Sequence, residues 1–234
     1  MLGLFSSRDK FIDQVTAGLS ACLATRITDN RAPTNLAPVF ISKWVDYSNK
    51  FGFGFQLSNG CVGVLFNDST KIGTTPDAAI VEFTDMKGKT FSFPWDDNAN
   101  QPFPELNHRV SLLKYYIQYM DENLADSLTF LPGTDTVNSG QKSAVPQLTR
   151  WNRRGDYVAM ELNTQLVQVN HMTNHEKVMI WAHDGDLVVT LISTTSSRTF
   201  SLSSACPASI RSKLEDTLLE VKELTCTKGT GTSN

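Results

Sequence analysis

Two stretches of this chain, FQLSNGCVGVLFNDSTKI (residues 55–72) and MELNTQLVQVNHMTNHEKV (residues 160–178), line up as copies of one pattern. Leu57 meets Leu162, Val62 meets Val167 and Val64 meets Val169, each 105 positions apart. Lys71 then meets Lys177 and Ile72 meets Val178 at a spacing of 106, so the second copy holds one extra residue. Each copy opens with a tryptophan, Trp44 and Trp151. A chain written twice in this way folds into two similar units that cover each other's apolar faces. The seam between such units is a common place for a binding site.

Within the first unit, Phe53, Phe55 and Leu57 alternate with Gly54 and Gln56, and Val62, Val64 and Phe66 alternate with Gly63 and Leu65. The turn Ser58-Asn59-Gly60 joins the two runs, which is a hairpin signal. Residues 79–83 and 90–93 read as two more strands across a turn at residues 85–89. Leu106, Val110, Leu113, Ile117, Met120 and Leu124 then fall at helical steps, with Pro104 and Glu105 in the first turn, where both are tolerated or favoured. The second unit shows strands at residues 157–162, 166–170, 177–181, 187–193 and 198–202. Its closing helix carries Ile210, Leu214, Leu218, Val221 and Leu224, with Pro207 near the start. Ahead of both units, Phe11, Val15, Leu19 and Leu23 recur every fourth residue behind Ser7 as an N-cap candidate, the pattern of an amphipathic helix seeking a surface. The intervals 25–38 and 126–146 lose periodicity and gather polar residues, Pro and Gly, as linkers do, and 227–234 reads as a frayed tail.

Composition excludes several function classes. With 234 residues, 40% hydrophobic and 19% charged, the chain is that of an ordinary globular protein. Twenty-one basic against 24 acidic residues give a net charge of −3, which argues against nucleic acid or an anionic membrane as the main partner. A small basic site for a single phosphate is compatible with that balance. Cys22, Cys61, Cys206 and Cys226 form no C-x-x-C pair, so reduced thiols in cytosol or nucleus are expected. The first residues, MLGLFSSRDKF, place charges where a signal peptide needs an apolar run, and no stretch approaches the roughly 20 apolar residues of a membrane span. The expectation is a soluble intracellular protein.

The run SKWVDYSNKFGFGFQLSNGCVGVLFNDSTKI (residues 42–72) strongly resembles the first polo box of polo-like serine/threonine kinases, and LLKYYIQYM (112–120) resembles the helix that closes it. Trp151, Arg153, VQVN (167–170) and HEK (175–177) resemble the second polo box, and the segment from Phe11 to Leu23 resembles the polo cap. The likeness covers nearly the whole chain. It implies an α+β fold: two β6α polo boxes forming a twelve-stranded antiparallel β-sandwich, plus an N-terminal cap helix. The implied division is cap and linker at 1–38, first box at 39–125, linker at 126–146, second box at 147–226 and tail at 227–234. The implied function is a non-catalytic, phosphopeptide-binding module of a cell-cycle kinase. It would recognise Ser-pSer or Ser-pThr, often before Pro, in the cleft between the boxes. That recognition docks the kinase on primed substrates and scaffolds, and the module also restrains the kinase domain. The resemblance further implies cytoplasm, nucleus, centrosome, kinetochore and spindle as locations, a monomer, and no cofactor for this chain, since ATP and Mg serve only the kinase domain.

His175 and Lys177 match the family's phosphate-gripping pair. A phosphate monoester carries about −1.5 to −2 charges and three strong acceptor oxygens. Lys supplies a fixed positive charge, and His adds another on protonation, which a neighbouring phosphate favours. On a strand, residues i and i+2 point to one side. Charge-assisted hydrogen bonds of about 1.5–3 kcal/mol each make the pair worth roughly a hundredfold or more in phosphate preference. From the residues alone, His-x-Lys is an ordinary solvated edge; the resemblance decides for function. Trp44 matches the tryptophan beside the serine that precedes the phosphoresidue, whereas Trp151 reads as core. Leu124 matches a leucine on the opposite wall, the next family leucine is Ala125 here, and an aromatic position of the second box is Met172. These departures leave the phosphate grip intact but bear on upstream residue preference. Asp46, Phe51 and Asn170 fall at peptide-contacting positions, Asp46 and Asn170 partly through backbone, and Arg153 joins this set. Tyr115 and Tyr119 resemble aromatics lining a secondary hydrophobic pocket, while Tyr116 reads as packing.

Other chemistries fare poorly. His171, His175 and His183 lie around a strand and its turn, not on one helical face, so no metal site is expected. Gly52, Gly54 and Gly60 do not space as a kinase glycine loop, and no strand lysine, H-R-D or D-F-G follows. The competing reading is a phosphate-independent scaffold or dimerisation module built on Tyr115 and Tyr119.

Overall fold

The structure is a computed structural model that describes residues 9–25, 36–95, 106–125, 145–202, 206 and 208–226. Helix α1 spans Asp9–Ala24. The first sheet contains β1 (Ile41–Tyr47), β2 (Gly52–Leu57), β3 (Val62–Phe66), β4 (Lys71–Thr74), β5 (Ile80–Thr84) and β6 (Thr90–Pro94), followed by α2 (Asn107–Asn123). The second contains β7 (Leu148–Arg154), β8 (Tyr157–Leu162), β9 (Leu166–His171), β10 (Glu176–His183), β11 (Asp186–Ile192) and β12 (Ser197–Ser201), followed by a 3-10 turn (Ala208–Ile210) and α3 (Arg211–Cys226). Each sheet is a consecutive antiparallel meander of six strands. Ser7, Pro104, Glu105, Pro207, most of the intervals 25–38 and 126–146, and the tail 227–234 lie outside the described residues.

The alternating runs form the expected β2–β3 hairpin, with Gly60 at φ +89° supplying the left-handed turn residue. Alternation alone did not single out β1, β4 and β7. β4 is only four residues long and buried along its length. β1 and β7 are edge strands with polar residues on both sides, so neither shows a clean period of two.

The register confirms the duplication in three dimensions. β1 against β2 and β7 against β8 carry a bulge at the same place, between Ile41 and Lys43 and between Leu148 and Arg150. Trp44 sits opposite Phe55 and Trp151 opposite Met160. The extra residue of the second copy falls in the turn between β9 and β10.

Three apolar layers hold the fold. Phe53, Phe55 and Leu65 of the first sheet face Val158, Met160, Met179 and Trp181 of the second, making the sandwich interior. On the outer face of the first sheet, Val64, Phe66 and Ile72 pack on Leu113, Tyr116 and Met120 of α2. On the outer face of the second, Val167, Val169 and Ile180 pack on Leu214 and Val221 of α3 and on Ile12, Val15 and Leu19 of α1. The Arg211 guanidinium donates to the carbonyls of Leu23 and Thr25, satisfying the orphan C-terminal groups of α1.

Tyr116 fixes the closing helix to its sheet. It is fully buried and donates its hydroxyl to the carbonyl of Gly52 at 2.9 Å. Gly54 leaves room for this ring, since a Cβ there would stand 2.2 Å from Tyr116 Cδ1. Gly54→Ala is therefore expected to destabilise the chain by about 2–3 kcal/mol, read as a lower urea midpoint with an unchanged slope. A midpoint equal to wild type would show that Tyr116 is not seated there.

Candidate functional site: a cleft at the seam of the two sheets

A cleft of about 340 Å³ opens where the two sheets and the end of α2 meet. One wall is the start of β1, with Ser42, Lys43 and Trp44; a second is the end of α2, with Asn123, Leu124 and Ala125. The floor and far wall come from the end of β9 (Asn170, His171), the following turn (Met172, His175) and the start of β10 (Glu176, Lys177). Seven residues singled out in the sequence thus converge: His175, Lys177, Trp44, Leu124, Ala125, Asn170 and Met172.

Trp44 is half-buried and stacks on Phe53 with ring centroids 5.4 Å apart and planes 12° from parallel. Phe53 in turn meets Trp151 at 4.4 Å, and Trp151 is core, as the sequence suggested. The indole of Trp44 is thereby braced from behind, and its N–H has no partner among the described residues.

Lys177 carries the electrostatics of the cleft. It lies opposite Asn170 in the β9–β10 ladder, mostly buried, and burial pulls its pKa below the ordinary 10.5. Among the described residues its ammonium has neither a hydrogen-bond nor an ion-pair partner. A buried ammonium without an anion is costly, and the site it occupies is one that a ligand anion would relieve.

His175 reaches the same cleft by a route other than the expected strand parity. It lies before β10, in the turn, at φ +52°, a left-handed conformation that His adopts more readily than most residues. Ser69, its counterpart in the first unit, has the same backbone sign at φ +67°. The turn, not the strand pleat, aims His175. The first unit has no equivalent cleft chemistry: Ser69 replaces the imidazole, and Lys71 is buried.

Asn170 is oriented by a cross-sheet clip that the sequence reading missed. Gln168, fully buried, accepts from the N–H of Ile41 and donates to its carbonyl, both at 2.9 Å. The same Nε2 donates to Asn170 Oδ1 at 2.8 Å, leaving the Asn170 carboxamide N–H groups unspent among the described residues. The clip ties the β1 bulge to β9 and sets the distance between the two walls. Its only local signal was polar Gln168 and Asn170 alternating with Val167 and Val169.

Three of the singled-out residues do not line the cleft. The carboxylate of Asp46 accepts from the Ser48 N–H at 2.9 Å and serves the β1–β2 turn. Phe51 is exposed in that turn and borders a different depression, with Asp68 and Arg109. Arg153 is exposed near the end of edge strand β7, opposite Val158. Tyr115 and Tyr119 also stand apart from the cleft, in an aromatic cluster where Tyr47 lies 6.1 and 5.6 Å from them. A hydrogen bond to Tyr115, followed by burial, holds the Tyr47 phenol above its usual range. Among the described residues no group of three or more His, Cys, Asp or Glu side chains is placed to hold a metal ion. No described helix is long and apolar enough to cross a membrane.

Two duplicated six-stranded sheets, each crossed by a helix, thus meet at a cleft that carries basic side chains. The family model described as the POLO box duplicated region matches residues 49–110. Among curated relatives, serine/threonine-protein kinase PLK2 of Pongo abelii is 30% identical over 231 residues, covering 92% of this chain and 32% of the relative. The kinase polo of Drosophila melanogaster is 36% identical over 166 residues, covering 70% and 27%. Among solved structures, the budding yeast Cdc5 polo-box domain in complex with Spc72 phosphopeptide superposes with a TM-score of 0.69 at 26% identity, covering 94% of this chain and 82% of that one. The Cdc5 polo-box domain alone gives 0.61 at 23% identity, covering 93% and 94%, and supports the fold. The chain belongs to the polo-box family. It is a polo-box domain, a non-catalytic module, and it spans about a third of the length of the curated kinases it matches.

Proposed function

We propose that the cleft captures a phosphorylated segment of a partner protein, with the phosphate held by Lys177 and His175. The observation that carries this reading is the mostly buried ammonium of Lys177, unpaired among the described residues, beside His175 and across the cleft from Trp44. A phosphate supplies an anion for this ammonium, and in a partly desolvated cleft the charge-assisted bonds are stronger than in water. The braced face of Trp44 suits a small residue such as Ser immediately before the phosphoresidue, because a larger side chain would meet the ring. β1 is an edge strand, so an extended peptide lying beside it finds free backbone groups to pair with. Asn170 adds carboxamide donors on the opposite wall. The phosphopeptide held by the Cdc5 polo-box domain, at 26% identity, supports the same use of this fold.

In this reading the chain is the docking module of a polo-like kinase. It would bring the catalytic domain to proteins bearing Ser-pSer or Ser-pThr, often before Pro, and restrain that domain when no phosphopeptide is bound. Docking on such proteins would place the kinase at centrosomes, kinetochores and the spindle. The test is calorimetric titration with a paired Ser-pThr peptide and its dephosphorylated twin. The phosphorylated form should bind at least roughly a hundredfold more tightly, from two charge-assisted bonds. Equal affinity for the two would refute the reading.

The competing scaffold or dimerisation reading draws on Tyr115, which is 47% exposed beside Tyr47 and Tyr119. A monomer in sedimentation, with no partner captured independently of phosphate, removes it.

A further inference from the structure

Glu176 stands between His175 and Lys177, so a carboxylate is built into the middle of the phosphate grip. Neighbouring strand residues face opposite sides, so this charge lies on the order of 10 Å from whatever anion Lys177 holds, near enough to repel it at interfacial dielectric. The repeat does not require an acid here: the matching residue of the first unit is Thr70.

The fold disposes of this charge. Glu176 borders the cleft on one side and, on the other, a smaller pocket of about 60 Å³ that also touches Tyr157, Lys213 and Asp216. In that pocket its carboxylate is ion-paired with Nζ of Lys213 on α3. The pair is partly shielded, with side chains 21% and 35% exposed. α3 is held in register for this contact by Arg154 to Glu220 at 2.6 Å and by the Tyr157 hydroxyl to Asp216 at 3.2 Å.

We infer that Lys213 is a positioning residue for the phosphate site: it holds the Glu176 carboxylate on the α3 side and cancels its charge, leaving Lys177 and His175 to set the field in the cleft. The inference rests on the phosphopeptide reading and adds to it a residue on the far side of the β9–β10 turn. Affinity for phosphate thereby depends on how α3 is docked, although α3 does not line the cleft.

The experiment titrates the full chain, wild type and variants, with the paired phosphorylated and dephosphorylated peptides. Lys213→Met should weaken the phosphopeptide about 3- to 15-fold, the range expected for one uncancelled charge at that distance, with the loss shrinking as salt rises. Binding of the dephosphorylated peptide should not change. Lys213→Arg should retain affinity. Glu176→Gln should bind as well as wild type or better, and in that background Lys213→Met should cost less than about twofold, because no carboxylate remains to turn toward the cleft and the Lys213 charge itself lies farther from the phosphate. The double variant also guards against a Lys213→Met chain that is merely destabilised. An unchanged Lys213→Met, or a loss that persists with Glu176→Gln, overturns the inference while wild type still discriminates phosphate. A wild type that does not discriminate phosphate overturns the underlying reading, and this inference with it.

Discussion

Replacing His175 by Ala and Lys177 by Met together is expected to remove measurable binding of a Ser-pThr peptide while leaving the chain folded. Two charge-assisted hydrogen bonds of about 1.5–3 kcal/mol each are lost, which corresponds to roughly 10²- to 10⁴-fold in Kd. Stability should not suffer. Lys177 has no partner to lose among the described residues, and its removal relieves a desolvated charge. The pH dependence follows from the same burial. The folded-state pKa is lowered, so the unfolded chain holds that proton more tightly, and folding stability linked to Lys177 rises with pH between the lowered value and 10.5. Lys177→Met should flatten that rise. Titration with the paired peptides, together with urea melts of the same samples, reads both effects. A double variant that folds and still binds phosphopeptide with wild-type affinity would remove these residues from the site.

The second large effect is structural. Phe53→Ala is expected to cost about 3–5 kcal/mol, because the ring is fully buried between Trp44 and Trp151 at the centre of the inter-sheet layer. Peptide affinity should fall as well in the fraction that remains folded, since Trp44 loses its backing. Phe51→Ala, two residues away, is the control. That ring is exposed in a turn and borders no part of the cleft, so its removal should stay within about 0.5 kcal/mol in stability and leave peptide binding unchanged. Comparable losses at both positions would contradict the assignment of Phe53 to the braced stack.

Much of the fold was legible because its signals are local. The β2–β3 hairpin follows from alternation around Asn59-Gly60, and α1 and α2 from the steps of Phe11, Val15 and Leu19 and of Val110, Leu113 and Met120. The repeat spacing also maps onto real turns. Four residues separate β1 from β2 but only two separate β7 from β8, which moves the offset from 107 at Trp44/Trp151 to 105 at Leu57/Leu162. The offset of 106 beyond that marks the turn that carries His175. What stayed hidden depends on long-range contact. The edge strands β1 and β7 have no alternation to read. The Gln168 clip joins residues 127 apart, and the Glu176–Lys213 pair joins residues 37 apart. Phe51, Arg153 and Asp46 are not among the residues lining the cleft for a related reason: a sequence position near a site does not fix the side to which a turn or a strand end directs its side chain.

The most direct measurement is a crystal structure of the chain bound to a Ser-pThr peptide. Phosphate oxygens are expected within hydrogen-bond distance of Lys177 Nζ and the His175 imidazole, with the preceding Ser against Trp44 and Glu176 still paired with Lys213. A phosphopeptide seated elsewhere, with no phosphate at Lys177, would contradict this site.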